Sequence, residues 1–147
     1  MRTLTAVFII LALASCACLP GQTKAEKGET TAFPTAQSLL GTEWILEDLG
    51  GAGVLDRVQA TLAFPEAGRA AGSGSCNRFT GSVEIGKGEI RFGPFATTRR
   101  ACVPAVMDQE GKYLKALGEA DRVAMEGPYL MIYSKGLEKP LRFTRKG

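Results

Sequence analysis

The sequence predicts an α+β domain that is mostly β, an antiparallel sheet with one packed helix, and three patterns carry that reading. Short apolar segments separated by Gly and Pro punctuation dominate residues 39–147, the mark of antiparallel strands. Gly86-Lys87-Gly88 divides two of these segments as a hairpin turn would. One stretch after Cys102 changes from a period of two to the helical period.

Taken in order, Thr42 to Leu49 reads as a strand with Trp44 and Leu46 on one face and Ile45 and Glu47 on the other. Thr61 and Ala63 alternate with Leu62 and Phe64 before the turn Pro65-Glu66-Ala67-Gly68, and Arg69 to Ser73 returns. Gly81–Ile85 and Glu89–Phe92 flank the hairpin. Val103, Val106, Met107, Tyr113, Leu114 and Leu117 then fall at helical spacing and predict an apolar stripe. Pro104 sits where a first turn tolerates it, and Gly118 is the expected stop. Asp108 and Glu110 come early and Lys112 and Lys115 late, an order that suits the helix dipole. Arg122–Met125, Tyr129–Tyr133 and Leu141–Thr144 supply three more strands.

A chain of 147 residues fits one domain, and 45% hydrophobic with 22% charged residues is ordinary globular composition. The net charge of +3 is too small to argue for nucleic acid as a partner. Histidine is absent. That excludes a Ser-His-Asp or Cys-His dyad, a His-ligated metal and an imidazole switch. Gly72 to Gly81 is rich in small residues but lacks a G-x-x-x-x-G-K pattern, so it reads as loop geometry rather than a phosphate cradle. No catalytic residue, metal site or cofactor is expected.

The amino end reads as an address. Arg2 precedes the apolar stretch Leu4 to Leu13, too short to span a bilayer but suited to a secretory signal. Leu13-Ala14-Ser15-Cys16 then resembles the bacterial lipobox, which makes residues 1–15 the signal peptide and Cys16 the lipidated residue. Its acyl chains would anchor the protein to a membrane, at about 0.8 kcal/mol per buried CH₂. Ala17 after the lipidated cysteine fits the outer membrane of a double-membraned bacterium, facing the periplasm. Residues 16–38 carry Pro20, Gly21, Gly28, Pro34 and alternating Lys and Glu with little to bury, so they read as a flexible tether. Cys18 lies unpaired within it.

Glu110 interrupts the helix stripe, with Val106, Met107, Tyr113 and Leu114 three and four residues away. It could be a general acid or base in a cleft, or a carboxylate satisfied by backbone N–H groups or an arginine. No His, Lys or carboxylate partner is fixed beside it by spacing, which favours the structural role. Cys76 and Cys102 both fall in the domain and would meet an oxidising compartment after export. A bridge between them would contribute about 3.5 kcal/mol on the chain-entropy account. Two buried thiols are the other arrangement the spacing permits, and no Cys-x-x-Cys redox pair is present.

Several of these segments together resemble one family. Leu40-Gly41-Thr42-Glu43-Trp44-Ile45-Leu46, Thr61 to Phe64, Gly74-Ser75-Cys76-Asn77-Arg78-Phe79-Thr80-Gly81, Phe92 to Cys102 and Glu110 to Leu117 are similar to the META domain, the HslJ-like family. Two positions depart from it: Ser75 stands where the family usually has Gly, and Arg100 where it usually has an apolar residue. The resemblance covers nearly all of residues 39–144, placing the domain at 39–147, and implies a curled antiparallel sheet, a half-barrel or small barrel, with the helix packed against it. It also implies an envelope lipoprotein associated with stress responses and carrying no catalytic activity.

In such a fold a Cys76–Cys102 bridge would pin the Cys76 loop beside the helix. Glu110 would then draw on the backbone N–H groups of Gly74–Asn77, the Asn77 amide, Arg78 or Arg99. The alternative function is a small-ligand-binding or enzyme-inhibiting module at the cell surface. An open interior lined by Phe64, Phe79, Phe92 and Phe95 would favour it.

Overall fold

The computed structural model describes residues 31–147; the expected signal peptide, Cys16, Cys18 and the first part of the expected tether lie outside the described residues. Among the described residues, ten strands and two helices follow in the order β1 (Thr31–Ala32), α1 (Ala36–Leu39), β2 (Glu43–Leu49), β3 (Thr61–Glu66), β4 (Arg69–Ser73), β5 (Arg78–Ile85), β6 (Ile90–Phe92), β7 (Ala96–Thr97), α2 (Pro104–Gly118), β8 (Ala120–Glu126), β9 (Tyr129–Ser134) and β10 (Leu141–Arg145). The strands form one antiparallel sheet in the order β1-β8-β9-β10-β2-β3-β4-β5-β6, with β7 laid against β5. The sheet curls into a half-barrel whose far edges touch, because Glu89 bridges Arg122 and the Val123 N–H donates to the Gly88 carbonyl at 2.9 Å.

Side-chain alternation drives the curl. Trp44, Leu46, Leu62, Phe64, Leu130, Ile132, Leu141 and Phe143 all point inward and are buried, while their strand neighbours face out. Helix α2 fills the concave side. Its Tyr113 is fully buried, with its ring 6.0 Å from that of Phe79 and 6.2 Å from that of Phe143. Gly72 must lack a side chain, since a Cβ there would lie 2.1 Å from the Thr61 carbonyl oxygen on β3.

Two parts of the expected layout change. The stretch 31–38 is not free tether: Thr31–Ala32 pairs with Met125 and Glu126 on β8, and Thr35 and Ser38 cap each other at the start of α1. Pro34 and Leu39 are the buried pegs that hold it, too few for composition to show. The inward face of α2 is also rotated from the predicted stripe. Gln109, Glu110, Tyr113, Ala116 and Leu117 are buried, whereas Val103 is 65% and Met107 44% exposed. The first turn of α2 holds no acidic residue. Asp108 instead forms an ion pair with Lys112 at 2.7 Å, one turn along.

Candidate functional site

The polar residues that α2 turns inward meet the loop between β4 and β5, and there the sequence-predicted residues converge. Glu110 Oε2 accepts from the backbone N–H of Cys76 at 3.1 Å and of Asn77 at 2.5 Å. Its Oε1 accepts from the Asn77 side-chain amide at 2.8 Å. That amide also reaches the Arg100 carbonyl at 3.3 Å. The Asn77 Oδ1 in turn accepts from the Thr98 hydroxyl at 2.8 Å and the Arg100 N–H at 2.7 Å. Asn77 thus joins the helix to the segment that leads into it. Carboxylate and amide are both buried, so each bond forms where water does not compete.

The Cys76–Cys102 disulfide closes the same region, with Cα atoms 6.0 Å apart across 26 residues of chain. Gly74 makes room for the carboxylate: a Cβ there would lie 2.7 Å from Glu110 Cγ. Ser75 adopts φ +105°, which explains the family preference for glycine at this place. Its hydroxyl accepts from the Gln109 side-chain amide at 2.8 Å, and Gln109 Oε1 accepts from the Leu55 N–H at 2.7 Å.

Two expected partners of Glu110 are corrected. Arg78 and Arg99 are both exposed and neither bonds the carboxylate, because nearer backbone and amide donors already fill its lone pairs. Arg100 is exposed as well and enters the cluster only through its main chain. Its departure from an apolar residue therefore leaves the cluster intact. Thr98 and Gln109 are the participants that the sequence did not reveal. Nothing in their spacing distinguishes them from surface polar residues.

Among the described residues, the four phenylalanines pack into and against the core instead of together lining an open chamber. Phe64 and Phe79 are buried, Phe79 packs edge-to-face on Phe95 at 5.1 Å, and Phe95 lies 5.8 Å from Phe92. Among the described residues, no group of three or more His, Cys, Asp or Glu side chains could hold a metal ion.

A half-barrel wrapped on one helix, and joined to it by a buried carboxylate knot and a disulfide, defines a class of small, mostly β domain. The META domain model matches residues 37–147, and the chain belongs to that family. An NMR structure of a protein from Burkholderia xenovorans is similar at 26% identity, with a TM-score of 0.64, covering 87% of this chain and 99% of that one. A second NMR structure is similar at 25% identity and a TM-score of 0.63, covering 76% of this chain and 95% of that one. No curated protein matches.

Proposed function

We propose that this META domain protein is a lipid-anchored protein of the bacterial cell envelope, without catalytic activity, that helps maintain the envelope under stress. The observation that carries the reading is Leu13-Ala14-Ser15-Cys16 behind an apolar signal stretch. The disulfide supports it, since such bridges persist in oxidising compartments such as the periplasm. A non-catalytic role draws support from the Glu110 knot. The best-placed buried carboxylate among the described residues accepts from two backbone amides and one side-chain amide, bonds that fix it in a structural role. Outer-membrane attachment facing the periplasm follows from Ala17 beside the lipidated cysteine.

Fractionation tests the anchor. Wild-type protein should stay with membranes through an alkaline wash, whereas Cys16→Ser should remain unlipidated, either uncleaved or soluble. Normal processing and membrane retention of Cys16→Ser would refute it. Deletion of the gene tests the role: unchanged resistance to heat, detergent and hydrophobic antibiotics would count against envelope maintenance.

A further inference from the structure

The outer side of α2 carries a groove that the Glu110 knot does not use. Its deeper part, about 410 Å³, is floored by Leu49, Ala52, Ala116 and Leu137 and rimmed by Lys112, Lys115, Lys135 and Glu119. A shallower part of about 270 Å³ shares Leu49, Ala52 and Lys112 and continues past Leu55 to Ala105. The two lie along the helix from Ala105 to Ala116, about 16 Å at 1.5 Å per residue. Leu55 and Leu137 stand 39% and 38% exposed along it, an apolar lining left open to solvent.

The opposite wall is built in advance. Asp48 accepts from the N–H groups of Gly51 and Gly53, and the Gln109 amide oxygen ties Leu55 to the helix. Leu137 packs over Gly50, where a Cβ would lie 3.1 Å from the leucine methyl. Charge is concentrated at one end. Lys112 is neutralised by Asp108, but among the described residues neither Lys115 nor Lys135 has a carboxylate within ion-pair distance. Glu119 shares that rim, so the end carries two ammonium groups against one carboxylate, and an elongated apolar floor ending in this net positive charge fits one kind of molecule.

We infer that this groove binds an anionic amphiphile, a single acyl chain lying along α2 with its carboxylate or phosphate head between Lys115 and Lys135. Apolar lining with a few polar groups at one end is the usual construction of a small-molecule site, and the head fixes the orientation of the chain. The groove is lined by residues between Leu49 and Leu137 and its test does not use Cys16, so the two proposals can fail separately.

The test uses residues 17–147, which contain every described element and lack Cys16, the proposed lipidation site. Laurate and dodecyl phosphate are titrated while backbone amide shifts are followed, with dodecyl maltoside and inorganic phosphate as controls. Saturable one-to-one binding is expected, with shifts at Leu49, Ala52, Ala116 and Leu137. Dodecyl maltoside should bind at least tenfold more weakly, and inorganic phosphate should leave these shifts unmoved. Lys115→Glu with Lys135→Glu should weaken laurate at least tenfold, and Ala52→Trp should block the chain; all three positions are exposed, so the fold should hold. Uptake of labelled laurate preloaded into phosphatidylglycerol vesicles would assign the membrane as source, and uptake of dissolved laurate alone a free pool; either upholds the site. Absence of saturable binding by folded protein, equal affinity in the variants, or shifts confined to another face such as Val103 and Met107 would overturn it.

Discussion

Asn77 holds both oxygens of Glu110, its backbone N–H at 2.5 Å from Oε2 and its side-chain amide at 2.8 Å from Oε1. This pairing joins residues 33 positions apart and sets the loop after β4 against the second turn of α2. The nearby disulfide acts on the same two segments, so covalent and polar restraints are coupled.

Glu110→Ala should therefore destabilise the fold by about 1–3 kcal/mol, the cost of stranding buried donors. Replacing both Cys76 and Cys102 by Ser should cost a comparable amount. Together the changes should fall short of the sum, because each frees the loop that the other restrains. Denaturant midpoints of the four proteins decide this, and simple additivity would refute the coupling. Thiol titration without reductant should find Cys76 and Cys102 blocked.

Gly74→Ala should be strongly destabilising in the wild-type background, since its Cβ would press on a carboxylate pinned by three hydrogen bonds. Overpacking of this kind costs about 1–3 kcal/mol. In a Glu110→Ala background the same substitution should be close to neutral. Urea melts of the two pairs measure the difference.

Ser75 combines a left-handed backbone, which costs about 1–3 kcal/mol, with a hydrogen bond from Gln109 worth about 1 kcal/mol. Ser75→Ala keeps the strain and loses the bond, so its melting temperature should fall. Ser75→Gly loses the bond but relieves the strain, and should be the more stable of the two. The reverse order would contradict the observed backbone conformation.

Burial pushes the Tyr113 phenol well above its ordinary pKa. The folded state therefore holds the neutral form while the unfolded chain ionises near pH 10. Stability should be intact below that pH and fall as pH rises beyond it. Tyr113→Phe should flatten much of this decline, at the cost at neutral pH of the bond to the Thr61 carbonyl, 3.1 Å long. Some slope should remain, since the hydrogen bond to Glu126, followed by partial burial, raises Tyr133 as well. Chemical denaturation between pH 7 and 11.5 would show it.

The sequence by itself determined the strands from β2 to β6 and β8 to β10 and the single long helix, and it offered Cys76, Asn77 and Glu110 as one of several arrangements that the structure then selected. Period-two alternation and Gly-Lys-Gly punctuation are local signals, and they survive into the sheet because one face of each strand must be buried. Only the tertiary structure decided which face of α2 turns inward. Val103 and Met107 are apolar, yet Gln109 and Glu110 are buried in their stead, because the loop after β4 presents backbone donors that need acceptors more than the core needs two further side chains. Docking of Thr31–Leu39 and pairing of Ala96–Thr97 were hidden for a similar reason: each rests on backbone pairing with a distant strand, helped in the first by the buried Pro34 and Leu39, and such partners leave no periodic trace in the segment they hold.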